Sequence, residues 1–551
     1  MRYRDPCDER QEMSDKLNGA AAFFKILTAN GVDTLFACPG TSEMQVVDEA
    51  GYSDLKVVTC IFENTVTGAC DGYARMLDRP ALGLVHVSCG LTNSLACLHN
   101  ARKAGSRMIL FGGGIHAAHE VNDPEHAMLM RQPDLAAAAA EWIYEAKTPH
   151  DLASAAVKAI NAANEENGKI AFVFGPNNAV WGETTFSTDL KPGGSVKTRV
   201  SKSTIEDIAA SLKAGKKTAF MLGGLALREE GLELAGRIAE GTGGGLYREW
   251  MVQRLDSGAG RVRVDLLSYE SGEAQAVFSK YDQMVLVDEK IPASAFSYEA
   301  SPFLKVPDGM PVKTLANRDS DVIRALNDLA EMLDLPASAS NRYERVIPDA
   351  PGGPLTAGAV EQSIVAHMPE NSILIDESML EGFGLAANAA SGAPHTYLSA
   401  VPGGAIGGGI PVAIGATMAC PDRKAILVTG DWSMMQGCQA LWTVANQNLD
   451  VCIVNLNNGG SASLESELAR VRKSDAQPKS LDLVRLWKPE IDYAAMAESM
   501  GVPSSSANSA EGFHAQFEEA MNTKGSRFID AKIVSAREML VGAHMKRRGM
   551  E

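Results

Sequence analysis

The amino-acid sequence predicts an α/β protein made of three doubly wound parallel-sheet domains. Three observations carry that expectation. Apolar runs of a few residues, rich in Val, Ile and Leu, alternate with stretches of helical periodicity. That is the pattern of parallel strands buried on both faces by crossover helices. Two polar segments rich in Pro, Gly, Ser or Thr interrupt the alternation, and 551 residues exceed what one hydrophobic core organises.

The elements follow in order. Residues 1–13 are polar and read as an N-terminal extension. The first domain, 14–182, opens with helical periodicity over 20–29, which Gly31 stops. A strand at 34–37, a β-branched strand at 57–62 and a helix over 65–76 come next. A strand at 82–87, a helix over 93–103 and a strand at 108–111 continue the alternation. Residues 183–201 form a linker. The second domain, 202–335, has a helix over 204–212, strands at 218–222 and 283–287, and a closing helix over 321–333. Residues 336–354, with four prolines, form a second linker. The third domain, 355–540, has strands at 372–376, 425–429, 452–455 and 527–533. No internal repeat is evident.

Bulk composition narrows the partners. Hydrophobic content of 45% with 22% charged residues is ordinary for a globular chain. A formal charge of −17 argues against a nucleic-acid partner, which needs clustered Lys and Arg. No apolar run reaches the ~20 residues that span a bilayer, so no membrane partner is expected. The first residues lack the apolar core of a signal peptide. Nine cysteines without regular spacing read as buried free thiols, which makes the cytoplasm the expected compartment.

The chemistry concentrates where strands end. Asp431 follows the strand 425–429, and Asn458 lies 27 positions later in Asn457-Asn458-Gly459-Gly460. Oxygen ligands at two neighbouring strand ends, with glycine beside both, suit a Mg²⁺–diphosphate site. Taken singly, Asp431 is equally a helix N-cap and the asparagine pair an ordinary turn. The run Gly403-Gly404-Ala405-Ile406-Gly407-Gly408-Gly409 precedes a helix-like 412–419, an arrangement that lets backbone approach an anion. Glu63 lies between a strand and a helix, suited to share a proton or to sit against the helix dipole. His86 ends the strand 82–87, as a proton carrier or a structural histidine. His116, His119 and His126 crowd one segment without the spacing of a helical zinc motif, and read as loop residues.

Together, Cys38-Pro39-Gly40-Thr41, Phe62-Glu63-Asn64, Asp71-Gly72-Tyr73-Ala74-Arg75 and Gly430-Asp431…Asn457-Asn458-Gly459 resemble the thiamine diphosphate enzymes. The similarity is to the acetolactate synthase, pyruvate decarboxylase and benzoylformate decarboxylase group, with acetolactate synthase large-subunit homologues nearest. It implies pyrimidine-binding, central and diphosphate-binding domains, in that order. It implies thiamine diphosphate and Mg²⁺ as cofactors, held between the first domain of one subunit and the third of another. A homodimer or homotetramer follows. Glu63 matches the glutamate that bonds the aminopyrimidine. Asp431, Asn458 and the carbonyl of Gly460 match the metal ligands. Ile406 matches the apolar residue that bends the cofactor, though it also suits core packing. Gly40, Ser378, Gly404, Gly430, Trp432 and Ser433 are implied as further cofactor contacts, and Thr41 and His86 as substrate contacts. Asn93 is also matched, or caps the helix that follows it.

The implied activity is that of a lyase or carboligase acting on a small 2-oxo acid through a C2 ylide and an enamine. Two departures bear on it. Gly430-Asp431-Trp432-Ser433 carries tryptophan where the family usually has Gly or Ala, and Phe62-Glu63-Asn64 stands where biosynthetic acetolactate synthases usually have His-Glu-Gln. The alternatives are an acetolactate synthase condensing two pyruvates and a non-catalytic paralogue whose site Trp432 impairs. Gly223-Gly224 after a strand leaves FAD, ADP or no nucleotide open in the central domain.

Overall fold

The computed structural model describes residues 17–122, 132–185, 190–194, 197–296, 302–471 and 477–534. The N-terminal extension and His126 lie outside them. The chain divides into two compact units, 1–195 and 196–551, and the break falls inside the expected linker 183–201.

In the first unit six strands form one parallel sheet. In chain order they are Thr34–Cys38, Lys56–Thr59, Ala81–Val85, Met108–Gly114, Trp142–Glu145 and Ile170–Pro176. Their spatial order is second, first, third, fourth, sixth, fifth. The interior strands Ala81–Val85 and Met108–Gly114 are buried throughout, which is why they read as unbroken apolar runs. The edge strand Lys56–Thr59 is mostly exposed and shorter than its β-branched sequence suggests. Phe62 is still extended, but Glu63 is already the first residue of the helix Glu63–Leu77, where a carboxylate favours the positive end of the helix dipole. The next helix, Ser88–Ala104, begins well before Asn93. Part of the expected linker is ordered, as Glu183–Thr184 pairs antiparallel with Leu17–Asn18.

The Asp71–Arg75 motif has a packing role in this sheet. Arg75 Nε donates to Asp71 Oδ1 at 2.8 Å, Arg75 Nη2 pairs with Asp71 Oδ2, and Ser106 Oγ donates to the same carboxylate. Both charged side chains are buried within one turn of the helix.

The second unit holds two further sheets. The five-stranded sheet is parallel, in the order Asp265–Leu266, Gly245–Arg248, Thr218–Leu222, Gln283–Val287, Val312–Ala316. The seven-stranded sheet runs Leu255–Ser257, His395–Ser399, Ser372–Glu377, Ala425–Gly430, Val451–Asn457, Arg527–Lys532, Ser504–Ala507. All of its neighbours are parallel except Leu255–Ser257, which runs against His395–Ser399. The proline-rich segment 336–354 contains no helix or strand, as expected. It is nevertheless tied down. The N–H groups of Ser340 and Asn341 donate to Glu240 at 2.8 and 2.6 Å, and Arg342 Nη2 donates to Glu233 Oε2 at 2.6 Å. Among the described cysteines Cys60, Cys70, Cys97 and Cys452 are buried free thiols as expected, whereas Cys38, Cys420 and Cys438 are half-buried and Cys89 is exposed. No described helix is long and apolar enough to cross a membrane.

Removing one partner of a buried ion pair leaves an uncompensated charge, which costs more than the pair contributes. Arg75→Leu is expected to lower unfolding stability by about 3 kcal/mol, read from urea denaturation. A loss under about 1 kcal/mol would show that Asp71 finds water or another donor.

Candidate active site

In the first unit Glu63 is 8% exposed, and its Oε2 accepts a hydrogen bond from Asn93 Nδ2 at 3.0 Å. Asn93 therefore serves from inside the helix Ser88–Ala104 and does not cap it. The opposite oxygen has glycine for a neighbour. A Cβ added to Gly90 would lie 2.7 Å from Glu63 Oε1 and 2.9 Å from His86 Cβ, so only glycine leaves that side of the carboxylate uncrowded.

Beside it lies an arrangement that the sequence did not disclose. Glu43 is fully buried at the end of the short helix Thr41–Glu43. Its Oε2 meets His86 Nδ1 at 2.8 Å and accepts the Gly40 N–H at 2.8 Å. Its Oε1 accepts from Ser42 Oγ at 2.7 Å and from the Val87 N–H at 3.2 Å. Gly40 has no side chain to cap this helix, so only the reciprocal half of a capping box forms, from glutamate to the Gly40 N–H. The spacing Gly40-x-x-Glu43 was the available signal. Glu43 fixes His86 just beyond the strand Ala81–Val85 and occupies its Nδ1. Thr41 is exposed on the same short helix. Burial, then the charges of Glu63 and Glu43, push the Cys38 thiol up to about 12. His116 is exposed, with its Nδ1 accepting from the Ala118 N–H, while His119 belongs to the helix Ala117–Asn122 and not to a loop.

In the second unit the seven-stranded sheet brings Asp431, Asn458 and Gly460 together. Asp431 opens the helix Asp431–Gly437 with its side chain buried. Its Oδ2 accepts from the N–H groups of Asn458 at 3.2 Å and Gly460 at 3.0 Å. Burial pushes its carboxyl up to about 6, against the lowering effect of the Gly460, Gly459, Trp432 and Asn458 N–H groups. The Trp432 backbone N–H acts on the carboxylate while its indole is half-buried, and Ser433 follows buried on the same turn. Asn458 Oδ1 accepts from the Gly460 N–H at 3.2 Å, and its Nδ2 donates to Glu381 Oε1 at 2.7 Å. Glu381 is a second residue that the sequence did not single out.

The glycine run 403–409 is anchored from below by a third. Glu377, fully buried at the end of its strand, accepts the N–H groups of Gly407 and Gly408 at 2.8 and 2.9 Å and the Thr429 hydroxyl at 2.8 Å. Gly404 is exposed at φ +83° with open space beyond it, and Ile406 is half-buried in the same loop. Gly430, extended at φ −95°, joins its strand to Asp431. Ser378 is buried and donates from both N–H and hydroxyl to Asp376 Oδ1, at 2.9 and 2.6 Å. The donor set here is one carboxylate, one amide oxygen and backbone carbonyls, hard oxygens that fit Mg²⁺, beside an open glycine loop that fits a diphosphate.

Comparison with known proteins agrees with this chemistry. Residues 17–138 match the family model of the N-terminal TPP binding domain of thiamine pyrophosphate enzymes, and residues 377–531 that of the C-terminal TPP binding domain. The chain is 35% identical over 526 residues to IlvX of Mycobacterium tuberculosis, a protein provisionally named an acetolactate synthase large subunit, covering 94% of this chain and 99% of that one. It is 23% identical to a benzoylformate decarboxylase of Pseudomonas aeruginosa, over 91% and 96% of the two chains. The solved structure of a thiamine diphosphate-dependent 4-hydroxybenzoylformate decarboxylase from Rhodococcus jostii superposes with a TM-score of 0.79 at 20% identity, over 94% of this chain and 99% of that one.

Glu377 generates a pH prediction. Burial raises its carboxyl from 4.5 to about 7, against the Thr429 hydroxyl and the glycine N–H groups. The folded state therefore holds this proton more tightly than the unfolded one. Its stabilising effect is complete below the unfolded value and is lost as pH rises through about 7. Glu377→Gln retains an acceptor without the charge. Wild type is expected to lose about 2–3 kcal/mol relative to this variant between about pH 5 and about pH 8, by urea unfolding. Parallel pH profiles would contradict it.

Proposed function

Because the chain belongs to the thiamine pyrophosphate enzymes, we propose that it is a Mg²⁺-dependent lyase or carboligase that decarboxylates a small 2-oxo acid. The released fragment is either protonated to an aldehyde or passed to a second carbonyl compound. The observation that carries this is His86 held at Nδ1 by the buried carboxylate of Glu43, with Gly90 alone between His86 Cβ and the Glu63 carboxylate, at 2.9 and 2.7 Å from where a Cβ on it would stand.

Glu63 would hold the aminopyrimidine, and Asn93 keeps that carboxylate oriented. The loop 403–409, with Gly404, and the turn Gly430, Trp432 and Ser433 would receive the diphosphate. Asp431, Asn458 and the Gly460 carbonyl would hold Mg²⁺, and Ile406 would press on the cofactor from the apolar side. When bound, the cofactor supplies a nucleophilic carbon and an electron sink. His86, with Nδ1 engaged, is left with Nε2 to carry a proton to or from the substrate oxygen or carbon. Thr41, exposed beside Gly40, is placed to orient the substrate. Ser378 is turned toward Asp376, so we assign it the support of the diphosphate loop and not a direct contact. The family habit of shared sites supports a homodimer or homotetramer, in which the Glu63 half of one subunit serves the Asp431 half of another, in the cytoplasm.

Isothermal titration of thiamine diphosphate, with and without Mg²⁺, tests the cofactor assignment. Wild type should bind tightly only with Mg²⁺, and Asp431→Ala should weaken binding at least about 100-fold. Folded wild type that binds nothing would favour a non-catalytic paralogue. Product analysis with pyruvate and with aromatic 2-oxo acids separates a decarboxylase from a synthase that condenses two pyruvates.

Glu43→Gln puts an amide where His86 Nδ1 now meets a carboxylate. It is expected to lower kcat about 100-fold with little change in KM or in cofactor binding. The His86 ring-nitrogen NMR signals should show its tautomer shifting. An unchanged tautomer with unchanged kcat would remove Glu43 from the proton path.

A further inference from the structure

The five-stranded sheet of the second unit has the topology that binds nucleotides. Its first strand, Thr218–Leu222, lies inside the sheet. The next strand in sequence, Gly245–Arg248, lies on one side of it, and Gln283–Val287 on the other. Open α/β sheets take ligands where the order reverses in this way, beyond the carboxyl ends of the strands. Here that point carries Gly223-Gly224, a short helix Gly224–Leu227 and then the helix Glu229–Thr242, the kind of glycine turn whose N–H groups face a phosphate.

The turn is already filled from within. Asp288, the first residue past Gln283–Val287, adopts φ +54°, a conformation that non-glycine side chains seldom hold. Its Oδ2 accepts the Leu225 N–H at 2.9 Å. A Cβ placed on Gly224 would lie 2.0 Å from that same oxygen, and one on Gly223 would lie 2.4 Å from the Asp288 carbonyl and 2.7 Å from Glu289 Oε2. The glycines are needed here to admit the protein's own carboxylates. Lys197, Arg228 and Arg318 are close enough to act on the Asp288 charge, the cations that a bound diphosphate would also require. Glu289 is half-buried within the electrostatic reach of Glu249, and Glu249 in turn takes Lys305 Nζ at 2.9 Å.

We infer that Asp288 stands in for a phosphate at this switch point, so that the central sheet is closed to FAD, ADP and other nucleotide diphosphates. A diphosphate would have to displace the half-buried Asp288 carboxylate from its N–H donor and settle beside Glu289. This goes beyond the catalytic proposal and does not depend on it.

The test uses the full-length protein and two probes, ADP and FAD. The purified wild type should show no flavin absorbance, should release no adenine nucleotide on heating, and should not bind either probe below millimolar concentration in calorimetry. Asp288→Gly suits the left-handed backbone and frees the Leu225 N–H. It should tighten ADP binding at least tenfold, while circular dichroism reports that it stays folded. Asp288→Asn, which keeps the shape and loses the charge, should fall between the two. Stoichiometric flavin or nucleotide in the wild type overturns the inference. So does ADP binding that neither substitution improves.

Discussion

Carboxylates that accept backbone N–H groups hold the carboxyl ends of all three sheets. Glu43 gathers the N–H groups of Gly40 and Val87 in the first sheet, and Asp288 takes that of Leu225 in the second. In the third, Glu377 takes those of Gly407 and Gly408 and Asp431 those of Asn458 and Gly460. The constraint is general. Parallel strands end together, and their loops leave donors that must be paired once water is excluded. An anion from the chain satisfies several donors at once and fixes the loop without a regular element.

The same device has three different outcomes. At Glu377 it is structural, since both oxygens are consumed by the glycine loop and Thr429. At Glu43 it orients a neighbour, because one of its bonds goes to an imidazole with a second nitrogen to spare. At Asp431 the carboxylate keeps company with an amide oxygen and a glycine turn, a set of hard oxygens of the kind a hard cation takes. What separates these roles is the neighbouring side chain and not the carboxylate itself.

Much of this was legible in the sequence, for identifiable reasons. Strands such as 218–222 and 283–287 are buried on both faces, so their apolar runs coincide with the observed elements. Asp431 and Asn458 could be found because strand ends and adjacent glycines mark them together. Glu43, Glu377 and Glu381 could not, since their value lies in partners remote in sequence: His86 for the first, the glycine loop for the second, Asn458 for the third. The helix begins at Glu63 and not at Thr65; Ile61 and Phe62 extend the strand-like pattern past Thr59, while the backbone turns at Phe62 without a side-chain cap to mark the place. Trp432 stands in the first turn of its helix, where its N–H acts on the Asp431 carboxylate.

The strand Leu255–Ser257 carries a last consequence. It leaves the central region to pair with His395–Ser399 on the seven-stranded sheet, joining Leu255 to Tyr397. That pairing is non-local and closes a very long loop, so it belongs among the late and slow events of folding. The five-stranded sheet takes no strand from beyond Ala316, so it is complete in itself, and one short strand from the same stretch of chain fastens it to its neighbour.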